Sequence, residues 1–241
     1  MTIFLVVGAF SIVQSLFGVG LLVFGTPTLL LLGHPFAEAL AVLLPASLAV
    51  SLLQLLSGPP VERAFITQFV MWCLVPLALV LGLVLAFRLQ TSLNLVVALT
   101  LAIFVVLRTV PGLGDKSGRW VLRHQKFWLL LMGVAHGLSN LGGGLLTILA
   151  ASRHTEKERI RKLVAVCYSC FAIIQLAVLA TVSPDLFGWR QLAYAATSAF
   201  VFLVIGQHIF RWVSAPIFTH LFTAVMASYA TLLGLRVFGL I

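Results

Sequence analysis

Acidic residues are almost absent from this chain: Asp and Glu together number six in 241 positions. All six (Glu38, Glu62, Asp115, Glu156, Glu158 and Asp185) fall at the ends of apolar runs or in the polar stretches between them. The sequence therefore offers no paired carboxylates for general acid–base work and no His/Cys/Asp/Glu constellation at metal-ligand spacing. The run His154–Arg159 mixes both signs and reads as the solvated start of a helix rather than a metal site. The expectation is a protein that is not an enzyme and holds no cofactor. Charge of either sign is scarce too, at 9% of residues. A soluble domain carries roughly 25%, so a water-facing domain of any size is excluded. A surplus of +9 does not indicate nucleic acid, because the basic residues lie between apolar runs, as they do in membrane loops. Cysteine is limited to three residues, too few for a disulfide framework.

Apolar residues are what the chain has in abundance, at 61% with a mean hydropathy of +1.16. Uncharged stretches run over Met1–Gly33, Ala39–Val61, Ala64–Phe87, Leu89–Leu107, Phe127–Ser152, Leu163–Pro184, Gln191–Phe210 and Trp212–Leu235. Each is long enough to cross about 30 Å of hydrocarbon. None alternates as a barrel strand would, so the fold class is all-α, a polytopic helical membrane protein. The opening MTIFLVV has no basic region ahead of it and is expected to be the first membrane element rather than a secretory signal. Trp72, Trp120, Trp128, Trp189 and Trp212 fall mostly near span ends and read as interfacial anchors.

The chain repeats itself. Ser15–Leu22 (SLFGVGLL) aligns with Ser139–Leu146 (SNLGGGLL) at an offset of 124, and three apolar segments follow each copy. This divides the chain into a first repeat over 1–109, a cytoplasmic linker over 110–125 and a second repeat over 126–241. Lys and Arg test how the glycine segments cross. If each crosses fully, the 15 basic residues split 8 to 7 between the two sides. If each dips in and returns, the split is 12 to 3, with only Arg88, Arg190 and Arg236 on the poorer side. The positive-inside rule prefers the second arrangement. Length agrees for the first segment, since its uncharged run would make a helix of about 50 Å. Two inverted repeats follow, each a broken or re-entrant helical hairpin plus three transmembrane helices. The basic loops are expected on the cytoplasmic side of a bacterial inner (plasma) membrane.

Gly142-Gly143-Gly144 in mid-membrane is unfavourable for a helix, by about 1 kcal/mol per glycine relative to alanine. A break there frees the N–H groups that open the next arm near Leu145, and these with the helix dipole form an anion site. Gly18-Val19-Gly20, with Leu21 opening its arm, would do the same in the first half. The alternative is close helix packing through small residues. Gln14, Ser15, Ser139 and Asn140 precede the breaks; they would either donate to an oxyanion or satisfy the broken backbone. His136 shares a helical face with Asn140, as substrate contact or as a tie between helices. His208 is expected near a span end and His220 deeper, without a partner. Pro27, Pro45, Pro76 and Pro216 should kink their helices, and Pro27 is expected to end the returning arm of the first hairpin.

The segment Gly8–Gly33 (GAFSIVQSLFGVGLLVFGTPTLLLLG) resembles the first repeat of the sulfite exporter TauE/SafE family of membrane permeases. His136–Ile148 (HGLSNLGGGLLTI) resembles that family's second glycine signature, and the duplicated layout covers essentially the whole chain. The resemblance implies transport of a small anionic substrate, such as sulfite, a sulfonate or an organic acid, across the lipid bilayer. It implies no catalytic residues. The chain departs from the pattern at Val19, which replaces a glycine, and at Ala150-Ala151, where a counterpart of Pro27 is expected. The sequence is compatible with a homo-oligomer. A competing reading is a membrane thiol–disulfide electron carrier using Cys167 and Cys170, a C-x-x-C pair inside an apolar span.

Overall fold

The computed structural model describes residues 1–87 and 113–212, with isolated positions 99, 227, 228, 231, 232 and 235. The third apolar segment of each half, 89–107 and 213–235, lies almost wholly outside the described residues, as do Arg88, Arg108, Arg236, Pro216 and His220. Among the described residues all regular structure is helical.

The first glycine segment forms two short helices, α1 (Thr2–Phe17) and α2 (Leu21–Leu31). At 16 and 11 residues neither reaches the ~20 needed to cross a bilayer. They fold back on one another, since the rings of Phe10 and Phe24 lie 5.9 Å apart on either side of the break. Helices α3 (Phe36–Gln54) and α4 (Arg63–Ala86) follow, both long and apolar enough to span. The order then recurs. After α5 (Leu113–Arg123), α6 (Gln125–Ser139) and α7 (Gly143–Arg153) make a second hairpin. Two more spans follow, α8 (Lys157–Val182) and α9 (Trp189–Phe210). The Trp128 indole N–H donates to the Leu145 carbonyl at 3.1 Å. In one continuous helix those residues would stand roughly 25 Å apart. The chain reverses at both glycine clusters.

Helices α4 and α9 each carry a π turn, at Val70–Leu74 and Phe202–Gly206. In α4 the turn precedes Pro76, whose missing N–H forfeits one helical bond and favours such a bulge. Packing interleaves the halves: α3 lies against α8 and α9, α4 against α6, and α1 against α9.

The hairpins open at opposite ends of the bundle. At one end Arg153, closing α7, donates to Gln125 at 2.6 Å and pairs with Glu62 at 2.9 Å, while Gln125 donates to Gln68 at 2.8 Å. Lys162 reaches the Leu55 carbonyl and Arg161 approaches Ser57 at the same end. So α6 begins where α7 finishes. At the other end one cleft of about 560 Å³ is bordered by Ile3 near the start of α1 and His34 just beyond α2, together with Glu38 and Asp185. The first hairpin thus enters and leaves there. Of the described basic residues, Arg153, Lys157, Arg159, Arg161 and Lys162 lie at the first of these ends and Arg190 at the other.

Two local expectations are corrected. Pro27 does not terminate the returning arm: α2 runs through it to Leu31. The stop comes at Gly33, whose φ of 89° allows the His34 amide to bond Leu29 and its own to bond Leu30, a Schellman ending. Trp128 is not an interfacial anchor. It is 5% exposed, and its N–H clamps the two arms of the second hairpin together.

Candidate functional site

The first break is set by Gly18. It ends α1 in the left-handed region at φ 73°, with its amide bonded to the Gln14 carbonyl at 2.8 Å. A side chain is disfavoured in that conformation. Two residues on, Gly20 lies against α1 so closely that a methyl carbon there would sit 2.5 Å from the Gln14 nitrogen. The polar side chains around the turn tie it to α3. The Gln14 amide donates to the Ser47 carbonyl (2.9 Å), the Ser47 hydroxyl (3.0 Å) and the Ser51 hydroxyl (3.1 Å). Gln54 donates to the Gln14 carbonyl at 2.9 Å, a second bond to that acceptor, and to the Ser15 carbonyl at 3.3 Å, both at the end of α1. Ser15 donates to the Ser11 carbonyl, and Ser11 to Ser198 on α9.

The second break uses different residues for the same geometry. Asn140 ends α6 at φ 62°, its amide bonded to the His136 carbonyl at 2.8 Å. Asparagine tolerates this region better than most residues. The caps Gly18 and Asn140 are therefore equivalent, as are the arm starts Leu21 and Gly143. Their spacing is 122 positions, two fewer than the glycine alignment gives. This corrects the expectation that the second arm opens near Leu145: α7 begins at Gly143, because Asn140 supplies the left-handed turn and leaves Gly143 and Gly144 inside the helix.

In this register His136 takes the place of Gln14. The Gly142 amide donates to His136 Nδ1 at 3.0 Å, so that nitrogen is unprotonated and the ring is neutral. The proton carried by Nε2 is then donated to Gln175 Oε1 at 3.1 Å. Gln175 in turn donates to Asn140 Oδ1 at 3.2 Å, and Asn140 to the Thr26 hydroxyl at 2.8 Å. One directed chain thus runs from the second break, through α8, into the returning arm of the first hairpin. Phe171 stacks on the imidazole at 4.1 Å between centroids and fixes its plane. Ser139 donates to the Ala135 carbonyl and accepts from the Leu141 amide.

The two returning arms meet at their N-termini: a methyl carbon on Gly143 would sit 3.0 Å from Cγ2 of Val23. Gln14, Ser15, His136, Ser139 and Asn140 are all fully buried around this meeting point, as Thr26, Ser47, Ser51, Gln54 and Gln175 nearly or wholly are. No Lys, Arg, Asp or Glu is buried among the described residues. Several backbone amides at the breaks are not consumed by the protein. Those of Gly20, Leu21, Gly143 and Leu145 have no acceptor among the described residues. Sequence reasoning passed over Gln175, Thr26 and Ser47. A polar side chain in an apolar run was the available signal, since such groups need a partner in the membrane. Cys167 is fully buried and Cys170 half-buried, both as free thiols.

Apolar spans around two broken helical hairpins, with neutral polar groups gathered at the breaks, define a polytopic integral membrane protein. The profile described as Sulfite exporter TauE/SafE matches residues 3–233, nearly the whole chain. The chain belongs to this family, whose members are membrane transporters and not enzymes. No significant match was found among curated proteins or among solved structures.

Proposed function

We propose that the chain is a secondary permease for small sulfur-containing or organic anions of the sulfite or sulfonate type. The observation that carries this reading is the meeting of two helix N-termini, α2 and α7, in a buried and uncharged polar setting. Their amides and dipoles favour negative charge without a charged side chain. Substrate is held by the unpaired amides of Gly20, Leu21, Gly143 and Leu145, while Gly18, Gly142 and Gly144, whose own amides are bonded within the protein, shape the turns that present them. Gln14, Ser15, His136, Ser139 and Asn140 line the site and hold the two turns in place.

Hairpins opening at opposite ends support two inverted repeats, 1–109 and 126–241, that rock against each other so the site faces alternate sides. A cleft of about 560 Å³ lies at the Glu38/Asp185 end of the bundle and one of about 400 Å³ at the Lys157/Arg161 end. The basic end, with Arg63, Arg153, Lys157, Arg159 and Lys162, faces the cytoplasm of a bacterial inner membrane. Purified protein in liposomes, screened against sulfite, thiosulfate, sulfonates and short carboxylates, should take up or bind at least one of them. Binding of none, with cations bound instead, defeats the anion reading.

A further inference from the structure

One buried donor at the meeting point is left unused by everything above. Tyr168, on α8, is fully buried, and its hydroxyl has no hydrogen-bond partner among the described residues. It lies against Gly143, the first residue of the 11-residue arm α7, so closely that a methyl group on Gly143 would overlap the hydroxyl oxygen. The ring is held in an aromatic cluster, 5.9 Å from Phe171 and 6.4 Å from His136 between centroids. A buried hydroxyl without a partner is destabilising, and tyrosine in such a setting usually finds one. Phenylalanine would fill the same space without that penalty.

We propose that the Tyr168 hydroxyl is the side-chain hydrogen-bond donor of the anion site at the N-terminus of α7, and that this site takes a singly charged oxyanion of the sulfonate kind. The proposal rests on the anion reading above and adds the residue and the charge. An oxyanion oxygen placed between the hydroxyl and the Gly143 amide receives two donors, with the Leu145 amide next along the arm. Admitting it requires α7 and α8 to part at Gly143, where no side chain bridges them from the α7 side. Charge follows from the setting. The described core holds no cation, and a helix N-terminus supplies about half an elementary charge, so two such ends offset about one negative charge. Desolvation grows with the square of the ionic charge, which sets a dianion at a steep disadvantage in this site.

The test uses the whole protein in detergent or liposomes, with methanesulfonate as a fixed monoanion and sulfate as a fixed dianion. For Tyr168→Phe, methanesulfonate should bind about tenfold or more weakly, the loss of one hydrogen bond to a charged group. The ligand-free thermal midpoint should be unchanged or higher, because an unpaired hydroxyl has been removed. Unchanged affinity in Tyr168→Phe overturns the role of the hydroxyl while leaving the anion reading intact. A lowered midpoint shows that the hydroxyl serves the resting fold and overturns it as well. Sulfate binding as tightly as methanesulfonate overturns the single-charge claim. A wild-type protein that binds no anion at all removes the underlying reading instead.

Discussion

The two hairpins reach one backbone shape by different chemistry. In the first, glycine makes the left-handed turn and a glutamine fans out to the hydroxyls of α3. In the second, asparagine makes the turn, and a neutral histidine relays through Gln175 back to that same asparagine. What must be preserved is therefore the turn and the satisfaction of its orphan groups, with the residue that does it free to vary. The second solution also reaches across the molecule, because a side chain at the turn can bond Thr26 where Gly18 can bond nothing. The turn residues of the first hairpin bond within their own half, whereas those of the second also couple the halves.

This contrast can be broken most severely at the close approaches. Gly20→Ala puts a methyl against the α1 backbone, which cannot yield, and should cost about 3 kcal/mol or more in thermal or denaturant unfolding. Gly142→Ala meets the His136 side chain instead and should cost less, about 1–2 kcal/mol. Next in size is His136→Leu. It orphans the Gly142 amide and Gln175 Oε1, for a loss of about 2–4 kcal/mol. Asn140 separates turn from wiring. Asn140→Gly keeps the φ of 62° and loses only the side-chain bonds, so it should be about 1–2 kcal/mol more stable than Asn140→Ala. Smallest is the rim: Glu62→Gln removes an ion pair whose carboxylate is exposed, and should shift stability by less than about 1 kcal/mol without touching transport.

Much of this organisation was legible from hydropathy and charge. The spans α3, α4, α8 and α9 follow from uninterrupted apolar runs, and the basic count pointed to hairpins before any geometry was known. The register of the repeat was misread by two positions because glycine was taken as the marker of the turn. Asparagine also enters the left-handed region, so Asn140 supplied the turn and two glycines moved into α7. The bonds of Gln14 to Ser47 and of Asn140 to Thr26 span 33 and 114 residues. No local pattern announces such partners; only the packing of α1 on α3 and of the two hairpins on each other brings them together. Tyr168 was visible only as the middle of a C-x-x-C motif, and its position against Gly143 depends on α8 packing beside α7.

The account depends on the two hairpins entering the membrane from opposite sides, and side-specific cysteine labelling tests that directly. In a background with Cys73, Cys167 and Cys170 replaced, His124→Cys and Thr155→Cys flank the second hairpin, while Gly33→Cys and Asp185→Cys mark the other end. The first pair should react from one common side and the second pair from the opposite side. Labelling of positions 124 and 155 from different sides would restore a full crossing by the second glycine segment and contradict the account.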